Sequence, residues 1–236
     1  MVSPTDENDA VEAVAGGADI IDVKDPTAGS LGAAAPELIR RVKKVVGPSI
    51  PVSAALGDVP NLPGTVAQAA LGASIAGADY VKVGLHGTRT HEDARDVLRC
   101  VVQTLDDFKR DSETVAALYA DHSRAGTMDP LDLPLIVQSI GVKVVMVDTA
   151  IKDGKTLFDF MSDAQVSKFI QASKKQNLEV ALAGSLNGET FERAIALKPD
   201  IVGVRTAALS GGNRNSGRVD SSLVAELKRI LGHHLA

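Results

Sequence analysis

Short runs of valine, isoleucine and alanine recur along the chain, separated by longer segments in which apolar residues return every three to four positions. Brief buried strands alternating with amphipathic helices are the pattern of βα units on a parallel sheet. Strands are predicted at 19–24, 50–56, 79–84, 114–119, 142–148, 178–184 and 200–205. Helices are predicted at 7–16, 35–46, 64–76, 91–110, 130–140, 162–176, 188–196 and 218–231. Pro36 after an alanine run opens one helix, and Ser162 with Gln165 three residues on makes a capping box for another. Val2-Ser3-Pro4 reads as the shortened tail of an eighth strand, the first in the chain. Gly16-Gly17-Ala18-Asp19 and Ala76-Gly77-Ala78-Asp79 each end a helix and launch a strand, a partial repeat of one unit. Eight βα units predict an α/β fold, a (β/α)8 TIM barrel occupying 1–236 as one domain, with an open doubly wound sheet as the alternative. No Pro- or Ser-rich linker divides the chain.

Alternate residues of a barrel strand face the axis, so Asp22 and Lys24 share a face, as do Tyr80, Lys82 and Gly84, and Met146 with Asp148. With Val2-Ser3-Pro4 counted as the first strand, the second, fourth, sixth and eighth end in Lys24, Lys82, Asp148 and Arg205. Inward residues of alternate strands share a layer, so these four converge at the C-terminal mouth, where barrel enzymes keep their active sites. An ammonium at the end of a buried strand costs several kcal/mol unless it is paired or used. An amine attacks a carbonyl only when neutral, and burial beside another cation favours that state. One lysine then serves as nucleophile and the other transfers protons, with Asp22 or Asp148 as partner carboxylates. The competing explanation is a pair of rim salt bridges, Lys24 with Asp22 or Lys82 with Asp79. Lys152 and, more weakly, Lys155 follow the Asp148 strand and border the same mouth.

Anion binding in barrels commonly uses the loops after the last two strands. Gly184 and Ser185 end one of these strands, and Gly203 and Arg205 end the other, ahead of Gly211-Gly212-Asn213-Arg214. Glycines there let backbone N–H groups approach phosphate oxygens, and Arg205 or Arg214 adds charge-assisted bonds. Taken singly, each glycine pair is an ordinary turn.

Composition removes several other functions. Aromatic residues are 3% of the chain and the formal net charge is −5, with no long basic run, which argues against nucleic acid as a partner. Cys100 is the single cysteine, so neither a disulfide framework nor a multi-cysteine metal site is expected, and a reducing compartment fits. His86, His91, His122, His233 and His234 form no metal-spaced pair, and no metal is expected. The start of the chain lacks the basic and apolar stretches of a signal peptide, and no uncharged span approaches membrane length, so the expected setting is cytoplasmic with no membrane partner. A homo-oligomer is an expectation from the fold alone.

Several longer motifs carry a resemblance. Asp22-Val23-Lys24-Asp25-Pro26 with Gly29-Ser30-Leu31-Gly32, Gly57-Asp58-Val59-Pro60, Pro63-Gly64-Thr65, Gly77 through Gly84, Asp148 through Asp159, and Ala183-Gly184-Ser185 together resemble the (5-formylfuran-3-yl)methyl phosphate synthase family, aldolase-like barrel enzymes of methanofuran biosynthesis. The resemblance runs over almost the whole chain. It implies condensation of two glyceraldehyde 3-phosphate molecules to a furan aldehyde phosphate, with loss of phosphate and water and no redox cofactor. It also implies Lys24 as the Schiff-base lysine, Lys82 as a proton-transferring residue, and Lys152, Asp22 and Asp148 as supporting groups. The chain departs from the family pattern at Asp25, where some relatives carry Asn, and at His86, where relatives carry an aromatic. Two other readings of the residues are a non-catalytic phosphate-binding barrel and a phosphosugar isomerase or epimerase working by carboxylate proton transfer.

Overall fold

The computed structural model describes residues 1–213 and 216–235. Seven strands, β1 (Ile21–Val23), β2 (Val52–Pro60), β3 (Tyr80–Gly87), β4 (Glu113–Tyr119), β5 (Val144–Asp148), β6 (Glu179–Leu182) and β7 (Ile201–Val202), form one parallel sheet in sequence order. Val2 bridges Ile21 on one side and Val204 on the other, both in parallel, and closes the sheet into a (β/α)8 barrel. The first of the eight strands is thus reduced to a single bridging residue. The Met1 ammonium donates to the Val202 carbonyl at 3.1 Å and completes that seam.

The outer helices are α1 (Glu7–Ala15), α2 (Pro36–Val46), α3 (Pro63–Ile75), α4 (His91–Asp107), α5 (His122–Ala125), α6 (Leu133–Ile136), α7 (Asp163–Lys174), α8 (Gly188–Ala196) and α9 (Ser221–Leu235). The helix predicted over 130–140 is instead a 3-10 turn, Pro130–Asp132, followed by the single turn α6. Positive φ at Ser139 (62°) and Gly141 (101°) then turns the chain into β5. β2 and β3 extend past their predicted ends, to Pro60 and Gly87, whereas β7 stops at Val202. Among the described residues no helix is long and apolar enough to cross a membrane.

Strand parity divides the core in two. Outward residues such as Ala116 and Leu118 of β4 pack with the helices in the larger cluster, while inward Val115, Ala117 and Tyr119 join Ala55, Met146, Ala181 and Ala183 within the barrel. Small alanines on the inner face leave room for the long polar side chains described below. The second Gly-Ala-Asp copy has a structural cause at the opposite end of the barrel. Gly77, at φ 104°, ends its helix, and Asp79 accepts from the β2 entry amide Val52 N (2.7 Å) and from Lys43 Nζ (2.6 Å). Asp200 does the same for Val180 N (2.8 Å) and Lys174 Nζ (2.6 Å).

Candidate active site

Two carboxylate–lysine pairs are built on alternate strands at the mouth. Asp22 of β1 takes Lys82 Nζ of β3 on both oxygens, at 2.7 and 2.8 Å, and both side chains are only 1% exposed. Ser53 Oγ and Ser3 Oγ donate to the same carboxylate at 2.8 and 3.0 Å. The strand register places Ser53 directly beside Asp22. Lys82 thus pairs with Asp22, while Asp79 serves the far end of the barrel, so the rim bridges considered from sequence do not form. In the second pair, Lys152 Nζ reaches back to Asp148 Oδ1 (2.5 Å) and Thr149 Oγ1 (3.0 Å), and Thr149 N caps the same carboxylate oxygen at 2.7 Å.

Lys24 stands between these pairs, 5% exposed, with no hydrogen bond to its Nζ among the described residues. Burial lowers its pKa most; the Asp148 charge pulls it back up, Lys82 lowers it again, and the result falls from 10.5 to about 7. Burial would raise both carboxylates, yet the positive charges of Lys82 and Lys24 hold Asp22 below its ordinary value, and those of Lys152 and Lys24 do the same for Asp148. The arrangement therefore keeps two acids ionised and leaves one amine about half neutral near pH 7.

A small cavity of about 20 Å³ opens over Lys24 and joins it to the loops after β6 and β7. Its wall includes Asp148, Lys152, Gly184, Ser185, Gly203 and Arg205. Gly184 sits at φ 112°, where a Cβ would meet Thr149 at 3.1 Å and Leu157 at 3.3 Å. Ser185 also takes positive φ (52°), and the N–H groups of Ser185, Leu186 and Thr206 have no backbone or side-chain acceptor among the described residues. Arg205, 6% exposed, is fixed by a 2.7 Å bond from Nη1 to the Ser3 carbonyl. Gly211, Gly212 and Asn213 are exposed and lie outside the cavity wall. Their segment is tied back on itself through Ser210 N to the Arg218 carbonyl and Gly217 N to the Asn213 carbonyl. Arg214 lies outside the described residues, and Lys155 is exposed.

Sequence reasoning missed Ser3, Ser53 and Thr149, whose roles depend on register and loop return. It also missed Asp58 and Tyr119, joined by a hydrogen bond from the Tyr119 hydroxyl to Asp58 Oδ1. The inward parity Val115, Ala117, Tyr119 was the available signal for the tyrosine. Among the described residues no group of three or more histidine, cysteine or acidic side chains is placed to hold a metal ion.

The family model for 4-HFC-P synthase matches residues 1–228. The chain is 49% identical over 231 residues to the (5-formylfuran-3-yl)methyl phosphate synthase of Methanopyrus kandleri and 47% identical to that of Methanothermobacter thermautotrophicus, with 98% of each chain covered in both cases. Solved structures share the fold at lower identity. Orotidine 5'-phosphate decarboxylase from Pyrococcus horikoshii superposes with a TM-score of 0.64 at 17% identity over 100% of both chains. Thiamine phosphate pyrophosphorylase from Pyrococcus furiosus gives 0.64 at 15% identity, over 100% of this chain and 96% of its own.

Proposed function

The chain belongs to the 4-HFC-P synthase family, a family of enzymes, and on that premise we propose that it condenses two molecules of glyceraldehyde 3-phosphate to (5-formylfuran-3-yl)methyl phosphate through a Schiff base on Lys24. The product would serve as furan precursor for a methanofuran-type cofactor. The observation that supports this most is Lys24 itself, a buried amine with a pKa near 7, on the wall of a cavity shared with Arg205 and the Gly184-Ser185 turn.

Neutral Nζ adds to the triose aldehyde, and Lys82, held by Asp22, supplies the proton with which the carbinolamine oxygen leaves as water. Arg205 and the amides of Ser185 and Thr206 hold the phosphate. Ionised Asp148 faces the iminium charge and stabilises it, while Lys152 keeps that carboxylate ionised. Loss of one phosphate and two waters balances two trioses against the furan aldehyde phosphate, as a carbon–oxygen lyase step requires. Isomerisation by carboxylate proton transfer is disfavoured, because Asp22 and Asp148 are both held below their ordinary pKa and neither is a ready base. Borohydride reduction of the protein with glyceraldehyde 3-phosphate, followed by peptide mass mapping, is expected to place the adduct on Lys24. Lys24→Ala is expected to lose both the adduct and the ultraviolet absorbance of the furan. An unmodified Lys24 in the native protein would refute the assignment.

A further inference from the structure

Asp58 and Tyr119 form a built constellation that the steps above leave unused. Between the pairs Ala55–Lys82 and Asp58–Gly84, three steps of β2 oppose two of β3, a β-bulge at which Gly57 takes φ 105°. The bulge brings Asp58 to the inner end of the barrel, where its Oδ1 accepts from the Tyr119 hydroxyl and its Oδ2 from Leu31 N at 3.1 Å. Two glycines make room for it. A Cβ on Gly84 would lie 2.7 Å from the Tyr119 oxygen and 2.9 Å from Asp58 Oδ1, and one on Gly29 would lie 2.6 Å from Asp58 Oδ2.

Gly84 is two residues beyond Lys82 on the inward face of β3, so the phenol lies one layer above the Lys82–Asp22 pair. Tyr119 is also the register partner of Asp148 on the neighbouring strand. The tyrosine is fully buried, whereas Asp58 is half-buried and in reach of water. With its hydrogen committed to Asp58, the phenol oxygen keeps its lone pairs to accept from a further donor. Burial and then the Asp58 charge push the phenol well above its ordinary pKa, so it keeps its proton at rest.

We propose that Tyr119 is a further catalytic residue of this site, accepting the carbon-bound proton released when the imine on Lys24 becomes an enamine, and that Asp58 is its positioning residue and proton outlet. The inference rests on the Schiff-base reading given above. The C–H bond beside the imine carbon breaks and its electron pair forms the C=C bond. The iminium π pair moves to nitrogen, which loses its positive charge. The proton passes to the Tyr119 oxygen as the phenol proton passes to the Asp58 carboxylate, and from there to solvent. Charge and atoms balance without any further reactant.

The test is borohydride trapping in deuterium oxide with glyceraldehyde 3-phosphate, comparing the native protein with Tyr119→Phe and Asp58→Asn. Phe keeps the ring that packs edge-on against His86, at a centroid distance of 5.8 Å. Both variants are expected to trap adduct at Lys24 in native yield, with deuterium uptake at the adjacent carbon and furan formation slowed about a hundredfold or more in Tyr119→Phe and about tenfold in Asp58→Asn. Uptake within about threefold of native in Tyr119→Phe overturns the relay, as does parallel loss of adduct and uptake in both variants. Absence of adduct in the native protein instead overturns the Schiff-base reading, and the relay with it.

Discussion

Replacing Lys24 with methionine tests the central electrostatic claim independently of turnover. Methionine nearly preserves the volume and removes the charge, so the folded state no longer holds an ammonium among buried groups. In the unfolded chain Lys24 regains its ordinary pKa of 10.5, against about 7 when folded. That difference corresponds to roughly 4 to 5 kcal/mol of destabilisation for the protonated folded form. The sign follows from proton counting. Between the two pKa values the unfolded chain binds a proton that the folded protein has released, so native stability rises with pH across that window. Below pH 7 both states are protonated and the cost is fully present; above 10.5 it is gone. Lys24→Met lacks this dependence, so its stability advantage should shrink by about 2.5 kcal/mol between about pH 7.5 and 9.5. Loss of attraction to Asp22 and Asp148 offsets part of the absolute gain but not this slope, because both carboxylates stay ionised throughout. Urea unfolding of both proteins across the range measures it. Parallel stability curves would mean that Lys24 stays charged when folded and would remove the argument for a free nucleophile.

Two other substitutions separate the paired lysines. Lys152→Met removes a cation that lowers the Lys24 pKa and frees Asp148 to attract the Lys24 ammonium, so both effects raise that pKa. The pH at which product formation reaches half its maximum should move to the alkaline side; an unchanged profile would detach Lys152 from Lys24. Lys82→Met leaves Asp22 buried with Ser3 and Ser53 as its hydrogen-bond donors and should destabilise the fold by about 3 to 5 kcal/mol in urea titrations. Replacing Asp22 with leucine in the same variant should recover most of that loss, and failure to recover would show that Lys82 packs the barrel rather than neutralising Asp22.

The barrel was legible because its strands are short, apolar and evenly spaced, and because a two-residue period says which side chains face the axis. That parity alone brings Lys24, Lys82, Asp22 and Asp148 toward one mouth. It does not say who pairs with whom. Lys82 could have met Asp79 three residues away, yet it meets Asp22 on β1, because parallel neighbours in a tilted barrel bring residues distant in sequence to one level. The Gly211-Gly212 turn shows the opposite failure. Its glycines answer the need for positive φ, 72° and 64°, in a segment folded on itself, and it is Gly184, Ser185 and Arg205 that line the cavity over Lys24. Asp58 was hidden for a third reason. Gly57 and Pro60 read as the end of a strand, whereas they flank a bulge inside a longer one, and only the bulge turns Asp58 inward. Parity arithmetic fails wherever one residue is inserted, and bulges concentrate beside active sites. The residues it misses in such a fold are therefore concentrated among those that face the chemistry.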